Sequence, residues 1–135
     1  MIPLRQKYKH EPENGIYGDC FRTCIASILE LGLEDVPNFL TKETYENTTK
    51  FFEKVTDFLE PLGYSYLEFS LFGMNLRDVV LCNNDAYHII VGLTQGGSAH
   101  AVVGLNGKFC HDPHHSDSFL AGALEEWNFG FIIKV

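Results

Sequence analysis

Basic residues are scarce in this chain: 10 Lys and Arg stand against 18 Asp and Glu, a formal charge of -8 over 135 residues. Such a balance leaves no basic face for tracking a phosphate backbone and argues against nucleic acid as a partner. Long apolar runs are missing as well. No segment approaches the roughly 20 apolar residues that a membrane helix needs, and the opening MIPLRQKYKHEPENG has no stretch of signal-peptide length. The expectation is a cytoplasmic protein with no membrane partner. Repeats, low-complexity tracts and Pro/Gly/Ser linkers are absent too, so residues 1–135 read as a single domain. The 4 cysteines, at positions 20, 24, 82 and 110, form no C-x-x-C knuckle of the structural zinc type, and in the cytosol they are expected to be thiols.

What is present is enough apolar material for one core: hydrophobic residues make up 45% of the chain and aromatics 13%. Asp19 stands where it would cap a helix starting at about Cys20. Phe21, Cys24, Ile25, Ile28 and Leu31 then recur at helical spacing, up to Gly32. Tyr45, Thr48, Phe52, Val55 and Leu59 mark a second helix, stopped by Pro61 and Gly63. Beyond it, Tyr64 to Phe69 alternates like a strand and Asn75 to Cys82 reads as a short helix. Strand-like runs follow at Ala86 to Leu93, Ala99 to Leu105 and Lys108 to His111, the last two joined by the hairpin pair Asn106-Gly107. A short helix over Leu120 to Trp127 and a strand over Phe129 to Lys134 complete the pattern. Helices first and antiparallel strands after them predict an α+β domain, its N-terminal helices packed on one side of a C-terminal antiparallel sheet.

Two cysteines near the start of the first helix have different prospects. At a helix start, unpaired amides and the macrodipole favour a thiolate, which suits Cys20 to nucleophilic chemistry. Cys24, a turn later within the apolar stripe, reads as core. A nucleophilic thiolate also needs a base held by an orienting group. The segment SAHAVVGLNGKFCHDP supplies both: His100 opens one strand, Asn106-Gly107 turns the chain, and Asp112 ends the next strand, so that the ends opposite the turn come within side-chain reach.

These motifs, in their order, resemble the papain-like cysteine peptidase fold, and most closely the branch of the bacteriocin-processing double-glycine peptidases. Asp19-Cys20 opens a helix, His100-Ala101-Val102-Val103 bears a histidine on a strand, and Asp112-Pro113 follows a hairpin. The resemblance runs from Asn14 through the Leu120 to Trp127 segment and the closing strand. It implies that Cys20 is the nucleophile, His100 the general base and then acid, and Asp112 the residue that fixes the imidazole tautomer: a catalytic triad. The family usually carries a Gln a few residues before the Cys as an oxyanion donor. Here Asn14, with the same amide on a shorter arm, stands six residues ahead of Cys20. Phe21 replaces the Gly that commonly follows the Cys, which would narrow the cleft or change the substrate class. The implied activity is that of a thiol protease-like hydrolase or an acyltransferase, acting on a peptide, protein or small amide substrate with no cofactor. The alternative is a weakly active or inactive papain-like binding module or inhibitor that meets a protein partner.

Other constellations compete. Cys110, His111, Asp112, His114 and His115 are the densest set of metal-ligating types, but neighbouring strand residues face opposite ways, so no metal site is assigned. A Cys20–Cys24 redox pair lacks the C-x-x-C spacing. His88, in an apolar strand, reads as a hydrogen-bonded core residue; His10, Arg22, Glu11, Glu13 and Asp19 read as solvated. His114 or His115 would touch substrate at the cleft rim, Tyr17 suits a cleft wall or core packing equally well, and residues Leu33 to Thr44 are the expected specificity loops.

Overall fold

The structure is a computed structural model that describes residues 1–71 and 85–135. The expected Asn75 to Cys82 helix lies outside these residues. Among them run three α-helices, α1 (Cys20–Leu29), α2 (Lys42–Tyr45) and α3 (Thr48–Leu59), and five strands, β1 (Tyr64–Ser70), β2 (Tyr87–Leu93), β3 (Ala99–Leu105), β4 (Lys108–His111) and β5 (Asn128–Lys134). The strands form one sheet in the order β1-β5-β2-β3-β4, every neighbouring pair antiparallel. The α+β class follows as the order of apolar periodicities predicts.

Local chemistry sets the boundaries. Glu30, in the left-handed conformation at φ 57°, ends α1 ahead of Gly32. The second periodic stretch is two helices rather than one, because Thr41 caps α2 in a capping box with Thr44 and Asn47 accepts from the Lys50 amide to start α3. Between β3 and β4, Asn106 (φ 53°) and Gly107 (φ 77°) both take positive φ, the backbone that a two-residue hairpin requires. A register shift at Val103/Gly104 sets Phe109 against Gly104 and His111 against Val103, so that Cys110 is the extra residue of a bulge.

Alternation along the strands gives the sheet two apolar faces. On one, Ile89, Ala101 and Val103 meet Cys24, Ile25 and Ala26 of α1, Val55 and Leu59 of α3, and Phe39. On the other, Ile90, Val102, Phe129 and Phe131 meet Leu71, Leu120 and Trp127. That second cover is not the helix expected over Leu120 to Trp127. Gly122 sits at φ 86° and breaks it, and only Leu124–Glu126 makes a 3-10 turn. The extended path lets the Ala121 amide donate to Leu93 O at 2.8 Å, while the Trp127 indole donates to Ala121 O at 2.8 Å. No helix among the described residues is long and apolar enough to cross a membrane.

Candidate active site

Cys20 is the first residue of α1, where geometry leaves the opening amides without intrahelical acceptors. The expected cap is not made. The Asp19 side chain accepts from no amide of its helix; its fully buried carboxylate instead accepts from the amides of Lys7 and Tyr8. Arg22, one turn on, closes this cluster: its Nε donates to Asp19 Oδ2 at 2.9 Å and its Nη1 to the Val36 carbonyl at 3.1 Å. Both side chains were expected to be solvated, and both are buried. The reason is reciprocal, since each charge can leave water only beside the other and with its remaining bonds satisfied.

His100 lies on β3 and Asp112 directly after β4, so the hairpin through Asn106-Gly107 sets them side by side. The His100 Nε2 to Asp112 Oδ1 distance is 2.6 Å, and both residues are buried. The remaining acceptor capacity of Asp112 is used by the His114 amide at 2.9 Å and the Phe119 amide at 2.8 Å. Burial alone would push the Asp112 carboxyl up, but the bonds from His100, Phe119 and His114 outweigh it and hold the group below its ordinary range. Cys20 also acts on the imidazole, and with Nε2 engaged Nδ1 is the ring nitrogen left to face it. Burial pulls the imidazole down, yet the bonds and charges of Asp112 and Cys20 prevail and push it up to about 9. At neutral pH the ring is therefore an imidazolium, donating from both nitrogens. Cys20, His100 and Asp112, distant in sequence, are thus brought to one imidazole: Asp112 by a hydrogen bond and Cys20 as a neighbour that raises its pKa.

Cys24, by contrast, is fully buried, and loss of solvent pushes its thiol well up. Phe21 turns away from the cleft into an edge-on aromatic cluster with Phe39, Phe51 and Tyr66, so it does not act as the narrowing element that its position suggested.

A pocket of about 360 Å³ opens beside His100, walled by Gln6, Lys9, His10, Thr94, His114 and Phe119. Neither Cys20 nor Asn14 is among its lining residues; Asn14 ends an exposed 3-10 turn, Pro12–Asn14. Gln6 is a residue the sequence reading passed over. Its Nε2 donates to Tyr8 O at 2.8 Å, and its Oε1 is buried with no partner. The sequence signal was a glutamine upstream of Cys20, hidden because it lies 14 positions away, from residue 6 to residue 20.

His10 is not solvated: its Nδ1 accepts from the Gly18 amide at 3.1 Å and its ring packs against Tyr17 and Tyr45. Tyr17 walls a second pocket of about 340 Å³ together with Tyr8, Ile16, Asn38, Leu40 and Lys42, which takes in part of the expected specificity region. His114 reaches the first pocket, edge-on to His100 at 6.4 Å and stacked on His115 at 4.4 Å. His111 is tied to the Leu4 carbonyl at 2.6 Å, while Cys110 is exposed on the other side of β4. Among the described residues no group of three or more His, Cys, Asp or Glu is arranged to hold a metal ion.

Comparison with known proteins returns no match: no protein-family model, no curated protein and no solved structure resembles the chain closely enough to be assigned.

Proposed function

We propose that this domain is a papain-like cysteine hydrolase or acyltransferase that cleaves a peptide, isopeptide or other amide bond through an acyl-enzyme on Cys20. One observation carries the reading: a buried imidazole hydrogen-bonded to a buried carboxylate and raised in pKa by a neighbouring thiol at a helix start. The sulfur of Cys20 attacks the carbonyl carbon as the thiolate, and the carbonyl π electrons move onto oxygen. The Cys20 backbone N–H, at the open end of α1, donates to that oxyanion. Collapse of the tetrahedral species breaks the carbon–nitrogen bond as the His100 imidazolium hands its proton to the departing amine. Neutral His100 then takes a proton from water, or from an amine acceptor, which attacks the thioester and releases Cys20. Asp112 keeps the ring oriented throughout and stabilises its cationic form.

Of two side-chain amides that can assist at the oxyanion, Gln6 is better placed than Asn14, since it lines the His100 pocket. The arguments for an inactive binding module lean on the missing upstream amide and on Phe21; Gln6 offers an amide beside His100, and Phe21 packs against the core.

The test is alkylation with iodoacetamide at pH 6, read residue by residue by mass spectrometry. Cys20 should outpace its own denatured control; equal rates would favour the binding module. Where an amide substrate is found in a peptide library, Cys20→Ala should abolish cleavage. Gln6→Ala should slow it by roughly 10²- to 10³-fold, while Asn14→Ala leaves it near wild type.

A further inference from the structure

The carbonyl oxygens of Asp112, Pro113 and His114 all accept hydrogen bonds from two neighbouring residues of the N-terminal segment. Arg5 Nη1 donates to Asp112 O at 2.7 Å and to His114 O at 2.9 Å, and the Gln6 amide donates to Pro113 O at 2.9 Å. Asp117 aims the guanidinium, meeting Nη1 at 2.8 Å. The next two residues turn the other way: the Lys7 and Tyr8 amides donate to the carboxylate of Asp19, which precedes Cys20. Earlier still, Leu4 donates its amide to Ser27 Oγ of α1 at 3.1 Å and offers its carbonyl to His111 of β4 at 2.6 Å.

We infer that residues 4–8 form a strap that sets the spacing between the nucleophile and its base, and that Arg5 is a positioning residue acting on His100 through the backbone of Asp112–His114. Four residues, 5 to 8, span at most about 13–14 Å when extended. A chain that short, gripped at both ends, fixes how far the start of α1 stands from the end of β4. The grip matters because Asp112 lies beyond β4 and has no ladder partner, so its backbone direction is set by whatever receives its carbonyl. Its carboxylate faces His100 and the amides of His114 and Phe119, while the imidazole faces Asp112, Cys20 and the edge of His114. A turn of the Asp112 backbone would lengthen the 2.6 Å contact on which the protonated ring depends. The strap also carries Gln6 between its two anchors.

This inference rests on the thiol–imidazole chemistry proposed above, and the two fail in different ways. The experiment is the pH profile of Cys20 alkylation by iodoacetamide, from pH 5 to 10, with exposed Cys110 as internal reference and thermal unfolding followed in parallel. In Arg5→Met, Cys20 labelling at pH 6 should fall about tenfold relative to Cys110, and the upper inflection should move down from about 9 by roughly one unit, one unit being tenfold in the ring's protonation equilibrium. Arg5→Lys, which keeps the charge without the planar fork, should recover only part of that loss, and it supplies the comparison if Arg5→Met does not fold. A wild-type profile in a folded Arg5 variant, even one of lowered melting temperature, would overturn the positioning role. A wild-type protein whose Cys20 labels like Cys110 throughout would instead overturn the chemistry beneath it.

Discussion

His88 and His100 are both buried, on the adjacent strands β2 and β3, and each stands opposite a glycine in the register: His88 against Gly104, His100 against Gly92. Their titration diverges. Desolvation pushes His88 down to about 4, whereas His100 is pushed up to about 9 in spite of desolvation. The neighbours account for it. His88 packs on Phe129 and Phe131, and its Nε2 accepts from the Gly107 amide, a bond that only the neutral ring can make. His100 meets a carboxylate and a thiol, which reward the cation. Burial alone therefore keeps a histidine neutral; an anion brought into the same buried space keeps it protonated at neutral pH.

The comparison breaks hardest at Asp112. In Asp112→Asn the bond to His100 keeps its shape and loses its charge, so the ring should titrate below about 9 and any acyl-transfer turnover should fall by roughly 10²- to 10⁴-fold. Two-dimensional NMR of the imidazole protons would follow the titration, and an unshifted His100 would show that Asp112 is not what holds the proton.

His88 should govern acid stability. Its folded value lies below that of the unfolded chain, so the neutral ring's contribution is complete above about 6.5 and is lost as pH falls toward about 4. The loss amounts to about 3 kcal/mol, and His88→Leu should flatten this part of a urea-denaturation series between pH 7 and 4. His100 has the opposite sign: its contribution is complete below about 6.5 and is lost as pH rises through about 9. Asp112→Asn should remove that alkaline slope while leaving the acid one.

The smallest effects belong to the glycines. A Cβ at Gly104 would press on His88 Cε1 and Ile90 Cδ1, and one at Gly92 on Trp127 Cδ1 rather than on His100. Each alanine should cost about 1–3 kcal/mol by denaturant titration. Only Gly104→Ala should also move the His88 resonances, because only that glycine makes room for a histidine.

How much of this was legible beforehand varies by element. The Asn106-Gly107 turn and the strands on either side of it were plain, since an Asn-Gly pair between alternating residues has few other solutions. The start of α1 at Cys20 was also visible, though for the wrong reason: Asp19 does not cap the helix but receives the N-terminal strap. The break between α2 and α3 went unread because the periodicity of Tyr45, Thr48 and Phe52 runs straight through it. The segment from Leu120 to Trp127 misled because two large apolar residues seven apart fit a helix as well as an extended chain covering a sheet.

Apolar periodicity and turn chemistry act over a few residues, so the amino-acid order alone determined the helix that begins at Cys20, the hairpin linking His100 to Asp112, and the α+β class. The tertiary structure decided which polar groups meet: Asp19 with Arg22 and the Lys7 and Tyr8 amides, Arg5 with the carbonyls beyond β4, and Gln6 with the pocket beside His100. An ion or amide is indifferent to its place in the chain and responds only to what surrounds it once water has gone, and folding alone assembles those surroundings.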